Sequence, residues 1–138
     1  MLKSDLRFIV IDDFSTMRKI VKKNLLEMGF VNVQEAEDGQ IAWDYLQKAK
    51  VEGKPFHFIV SDWNMPNMQG IELLKLCRGD DAYAKTPFVM VTAEGEQKQI
   101  IEALKLGCTD YIVKPYAPNI IKEKMTKIFN KFDLQNAA

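Results

Sequence analysis

The segment "HFIVSDWNMPNMQGIELL", residues 57–74, changes character three times. Phe58, Ile59 and Val60 form an apolar run too short for a helix and without the alternation of a half-exposed strand. It reads as a strand buried on both faces. Asp62 ends the run, with Trp63 directly behind it. Asn64, Pro66 and Gly70 then supply turn chemistry. From there Ile71, Leu74 and Cys77, with Leu73 and Leu76 nearby, take up helical spacing. A buried strand, a carboxylate at its end, a turn and an amphipathic helix follow one another.

The same unit recurs on either side. Toward the N-terminus, "RFIVI" (7–11) predicts a buried strand, and Met17, Val21, Leu25 and Met28 lie on one stripe of the helix behind it. Ser15 is expected to cap that helix and Gly29 to end it. "NVQEA" (32–36) is a weaker strand, and Asp38-Gly39 marks a turn before Ile41, Ala42, Tyr45 and Leu46 resume helical spacing. Toward the C-terminus, Thr86-Pro87 opens the strand "FVMVT" (88–92), and Ile100, Ile101 and Leu104 share one helical face. "YIV" (111–113) is followed at once by Lys114-Pro115. The last helix carries an apolar stripe of Ile121, Met125, Ile128 and Phe132, with Lys122, Lys124, Lys127 and Lys131 on its other faces. Stretches near 50–56 and 79–85 read as loops. Strands separated by helix-length segments predict parallel pairing through right-handed crossovers. The fold class expected is therefore α/β, a single-domain (βα)5 architecture with helices on both faces of the sheet. The domain is expected over residues 5–132, with 133–138 a flexible tail.

With 138 residues, the chain suits one core. Nineteen basic and nineteen acidic residues give zero formal net charge, so bulk charge offers no reason to expect nucleic-acid or anionic-membrane binding. No apolar run approaches the roughly 20 residues needed to span a bilayer. The N-terminus lacks a long apolar segment with a small-residue cleavage site, so a cytoplasmic protein without membrane insertion is expected. Cys77 and Cys108 lack CxxC or metal-ligand spacing and read as packed thiols of a reducing compartment.

In an open parallel sheet the C-terminal strand ends share one edge, and ligands bind there. Asp12 and Asp13 end the first strand, Asp62 the third, Thr92 the fourth and Lys114 the fifth. Clustered carboxylates repel one another, more so away from water. A hard divalent cation resolves that repulsion, and oxygen donors without a His or Cys cluster favour Mg²⁺. His57 starts the third strand at the opposite edge and is read as structural or surface. Carboxylates, a cation, an ammonium and a hydroxyl equip a site for phosphoryl transfer, in which an Asp can itself be the nucleophile. Neither GxxxxGK[ST] nor GxGxxG occurs, so nucleotide binding has no motif support.

Five separated motifs, "DDFSTMR" (12–18), "EAEDG" (35–39), "SDWNMPNMQGIELL" (61–74), "MVTAE" (90–94) and "VKP" (113–115), carry a resemblance to the response-regulator receiver family, especially its single-domain chemotaxis members. It covers about residues 5–132. The resemblance implies a flavodoxin-like five-stranded sheet of order 2-1-3-4-5. It makes Asp62 the phosphoacceptor, and it places Mg²⁺ on Asp13, Asp62 and the backbone carbonyl of Asn64, with Asp12 acting mainly through water. Lys114 would contact the phosphoryl group, and its bond to Pro115 would be cis. Thr92 would move to a phosphoryl oxygen, with Tyr111 following inward as the second half of a switch. The implied activity is a signalling protein's self-catalysed phosphotransfer and acyl-phosphate hydrolysis, not an enzyme's turnover. The implied partners are a CheA-like histidine kinase, a FliM-like flagellar switch protein and a dedicated phosphatase, all meeting a monomer. The output surface would include Gly95, Gln97, Ile100, Tyr111, Val113, Tyr116, Lys124 and Lys127.

Some positions depart from the family. Glu96 and Gln97 stand where chemotaxis members have lysines, and Tyr116 stands where they have Phe. Lost positive charge should alter on-rate and partner choice more than fold. The loop near 50–56 is also longer. The nearest rival is a stand-alone receiver in a phosphorelay, or one with a non-motor protein target. An aspartyl phosphatase of the haloacid-dehalogenase type would need a second acid where Asn64 stands, and a flavodoxin would need a Ser/Thr/Gly-rich phosphate loop after the first strand.

Overall fold

The structure is a computed structural model and describes residues 3–93, 97–114 and 117–131. The expectations for Gly95, Glu96, Pro115, Tyr116, Phe132 and the tail lie outside these residues. After a short 3-10 turn (Lys3–Asp5), strands and helices alternate: β1 (Arg7–Ile11), α1 (Ser15–Glu27), β2 (Asn32–Ala36), α2 (Gly39–Val51), β3 (Phe58–Asp62), α3 (Gly70–Arg78), β4 (Phe88–Ala93), α4 (Gln97–Lys105), β5 (Asp110–Lys114) and α5 (Pro118–Lys131). The strands form one parallel sheet in the order β2-β1-β3-β4-β5, the flavodoxin-like order expected.

Alternation along the strands divides the core in two. Phe8, Val10, Phe58, Val60, Val89 and Val91 face α1 and α5, where Leu25, Met125 and Phe129 meet them. Ile9, Ile11, Ile59, Phe88 and Met90 face the other way, onto Leu46, Leu73, Leu74 and Cys77. The central strands therefore have no polar face, which is why β3 reads as continuous apolar sequence. On the first side Phe8, Phe30, Phe58 and Phe129 stack with ring centroids 4.6–6.0 Å apart. Each buried ring contributes about 1.5–3 kcal/mol by area alone. Strand β2 sits at an edge with only Ala36 fully buried, which accounts for its weak pattern. Cys77 and Cys108 are free and buried, and burial pushes the Cys77 thiol up to about 12.

One local expectation needs correction and three gain detail. Ser15 does not cap α1: Phe14 holds the cap position without a side-chain bond, and the Asp12 carboxylate instead accepts from the Phe14 N–H at 2.9 Å. The Asp38-Gly39 turn is itself a helix start, with Asp38 accepting from Ile41 N at 2.9 Å as the cap of α2. The expected apolar face of α4 is only partly core, because Ile101 and Leu104 are exposed while Ala103 is buried. Residues 79–85 are the loop expected, and part of it is buried. They seat a fully buried Tyr83, whose hydroxyl donates to Leu46 O at 2.6 Å and accepts from Phe56 N at 3.4 Å. His57 is structural: its Nδ1 accepts from the Arg7 N–H at 2.9 Å, extending the β1–β3 contact at the N-terminal edge.

Candidate functional site

The parallel register delivers the acids to one edge. Ile11 pairs with Ser61 and Asp62 with Val91, so the chain leaving β1 at Asp12 emerges beside the end of β3. Carboxylate oxygens of Asp12, Asp13 and Asp62 come within 4.8 Å of one another. Asp12 and Asp62 are buried and Asp13 is exposed, so the cluster opens to solvent on the Asp13 side. Lys114, from the end of β5, places its Nζ 3.3 Å from an oxygen of each buried acid.

The Asp62 carboxyl is strongly perturbed. Burial, and then the neighbouring Asp12 charge, raise its pKa to about 6, against the opposing pull of Lys114 and of the Trp63 N–H that donates to Oδ1 at 2.8 Å. One oxygen of Asp62 is thereby held by backbone and the other faces the ammonium. Thr92, near the end of β4, is buried, and among the described residues its hydroxyl has no hydrogen-bond partner. A buried unsatisfied hydroxyl is costly and rare in native structures, so it marks a place where a ligand oxygen would be welcome.

The loop behind Asp62 is tightly fixed. The Gly70 N–H donates to Trp63 O at 2.9 Å, closing the turn into α3. A Cβ on Gly70 would lie 2.3 Å from the Asp62 carbonyl oxygen, so only glycine lets α3 approach this closely. Asn67 takes a positive φ of 66°, and its amide donates to Asp38 at 2.7 Å, tying the loop to the start of α2. Trp63 is buried in the core on the α2–α3 side, whereas Asn64 is exposed.

Comparison with known proteins gives this constellation a family. Residues 8–126 match the family described as Response regulator receiver domain. The chain belongs to the response-regulator receiver family. This receiver domain is 48% identical over 130 residues to Chemotaxis protein CheY-3 of Vibrio cholerae, covering 94% of this chain and 96% of that protein. It is 44% identical over 126 residues to Chemotaxis protein CheY of Pseudomonas aeruginosa, covering 91% and 98%. Its backbone matches the structure of the chemotaxis response regulator CheY4 of Vibrio cholerae with a TM-score of 0.79 at 32% identity, covering 89% and 98%.

Several residues that serve the receiver's site went unread in the sequence. Arg18 donates from Nη1 to Asp12 O at 2.6 Å and from Nε to Glu35 at 3.1 Å, locking the acidic corner between α1 and β2. An i, i+6 relation from Asp12 across a loop gives no periodic signal. Asp110 is another: it accepts from the Tyr111 N–H at 2.8 Å and from Lys124 at 3.1 Å, while the Lys124 ammonium lies 4.7 Å from the Tyr111 ring centroid. Tyr111 and Lys124, both expected on the output surface, are thus in contact. Ile100 and Val113 are half-buried, and Gln97 and Lys127 are exposed. Ile101 and Leu104, read from the sequence as part of an α4 stripe, are exposed.

Proposed function

We propose that this receiver domain is a chemotaxis response regulator that accepts a phosphoryl group on Asp62 from a histidine kinase. The observation that carries this reading is the juxtaposition of three carboxylates, the Lys114 ammonium and the unpartnered Thr92 hydroxyl at one sheet edge. The oxygen-only donor set of Asp12, Asp13 and Asp62 fits Mg²⁺, with the Asn64 carbonyl as a further ligand. When bound, the cation would supply charge neutralisation for the nucleophile and for the transferring group.

The chain's own residues account for the rest. Above its raised pKa Asp62 is ionised, and the Trp63 N–H fixes one oxygen while the other faces the Lys114 ammonium. That oxygen attacks phosphorus in line, a P–O bond forms, and the P–N bond of the donor phosphohistidine breaks with the electron pair leaving on imidazole. Lys114 then pairs with a phosphoryl oxygen and Thr92 donates to another, relieving its unsatisfied state. Attack of water on phosphorus later releases inorganic phosphate and restores the carboxylate. Movement of Thr92 draws on its strand neighbour Val113 and on Tyr111, which rests against Lys124. This couples the site to the face made by α4, β5 and α5. That face supports binding of a flagellar switch protein of the FliM type, with Ile101 and Leu104 as apolar contacts.

The output half is tested by pull-down on a FliM N-terminal peptide with and without beryllofluoride in Mg²⁺. A gain with beryllofluoride supports motor output. No gain leaves the alternative reading, a receiver that serves a phosphorelay or a non-motor protein target.

A further inference from the structure

Away from the carboxylate edge, α1 and α5 border a half-open cleft of about 440 Å³, lined by Ile20, Lys23, Asn24 and Glu27 from α1 and by Asn119 and Lys122 from α5. The four α1 positions fall at i, i+3, i+4 and i+7, one face of the helix. Asn24 is the anomaly on that face. It is only 5% exposed, yet among the described residues its Nδ2 has no hydrogen-bond partner. Its helix neighbours Val21 and Leu25 are buried and apolar, so packing alone gives no reason for an amide there. A buried donor left unpaired weakens a fold, and an apolar side chain of similar volume would avoid the loss. The amide's orphan N–H calls for an oxygen acceptor entering the cleft.

The surrounding charges specify which acceptor. Lys122 is 2.5 Å from Glu27, an ion pair spanning the two helices. Lys23 adds a further cation, so the lining residues carry one net positive charge. Ile20, partly exposed, offers an apolar wall beside them.

We propose that the α1–α5 cleft is a second binding site, separate from the phosphoacceptor edge, that takes a carboxylate carried on a short aliphatic stem. The Asn24 N–H donates to a carboxylate oxygen, Lys23 neutralises the charge and Ile20 packs against the stem. The carboxylate is supplied either by a free small dicarboxylate or by an acidic side chain of a docking peptide, and the cleft chemistry is the same for both.

The test uses the full chain, ¹⁵N-labelled, titrated with glutarate and separately with a short glutamate-containing peptide. The Asn24 side-chain amide resonances report directly. A saturable shift of these resonances and of the neighbouring α1 backbone amides is expected; the backbone shifts weaken several-fold in Lys23→Gln and disappear in Asn24→Leu, which should also melt at a higher temperature. Saturation by glutarate identifies the free acid as sufficient; saturation by the peptide alone identifies a partner's side chain. Absence of any saturable shift with both probes overturns the proposal, as does equal binding by wild type and Lys23→Gln.

Discussion

Replacing Asp62 by Asn should stabilise the fold while abolishing its chemistry. The neutral amide keeps the shape and can still accept from the Trp63 N–H, but it no longer sits as a buried charge beside Asp12. A carboxyl raised from 3.8 to about 6 binds protons more tightly when folded than when unfolded. Its sign follows from that: the fold is favoured below the unfolded value, and the advantage is lost as pH rises through about 6. At about 1.4 kcal/mol per pH unit the full penalty at neutral pH is about 3 kcal/mol, and solvent on the open side of the cluster reduces it to about 1–2 kcal/mol. Urea unfolding without divalent cations should therefore give Asp62→Asn an advantage of about 1–2 kcal/mol at pH 7.5, falling to about a third of that at pH 4.5. Saturating Mg²⁺ should reverse the order, because a ligand at 100 times its Kd adds about 2.7 kcal/mol to the protein that binds it. An Asp62→Asn variant less stable than wild type at pH 7.5 in EDTA, or an advantage independent of pH, would refute the assignment of Asp62 as a strained carboxylate.

Lys114→Met removes the ammonium shared by Asp12 and Asp62, so the Asp62 pKa should climb above about 6 and labelling by acetyl phosphate should slow about 100-fold; stopped assays across pH 6–8 check both. Tyr83→Phe leaves the buried Leu46 carbonyl and Phe56 N–H without their hydroxyl partner and should cost about 1–3 kcal/mol in urea unfolding, with no change in the labelling rate. His57 must be neutral at Nδ1 to accept from Arg7, and burial followed by the Arg7 charge holds its pKa below 6.5. Its stability contribution is present above 6.5 and is lost as pH falls through the lowered folded value, so His57→Gln should flatten the stability profile on the acid side. This is best measured in the Asp62→Asn background, where the opposing slope of the carboxyl is absent.

The sheet and the site edge were legible in the sequence for one reason. The central strands are apolar on both faces and the strands end at polar residues, so Asp12, Asp62, Thr92 and Lys114 mark both strand ends and the proposed site. Topology converts those four endings into one place. What escaped reading depends on contacts made across the chain. Tyr83 looks like a loop aromatic until its hydroxyl is seen against Leu46, far away in sequence. Asp110 looks like an ordinary turn acid until Lys124 and Tyr111 close around it. The α4 stripe has helical spacing, but a 3.6-residue period records amphipathicity and not what covers the apolar side. Ile101 and Leu104 are on that side and face solvent. Ser15 failed as a cap because the helix begins at Ser15 itself, leaving Phe14 in the cap position.

The most direct measurement traps the phosphoacceptor. The protein is incubated with acetyl phosphate and Mg²⁺, reduced with borohydride, and its peptides are sequenced by mass spectrometry. Conversion of residue 62 alone to homoserine, dependent on Mg²⁺ and on the phosphodonor, is the expected result. Modification at Asp12 or Asp13 in its place, or none at residue 62 under these conditions, would contradict the central claim.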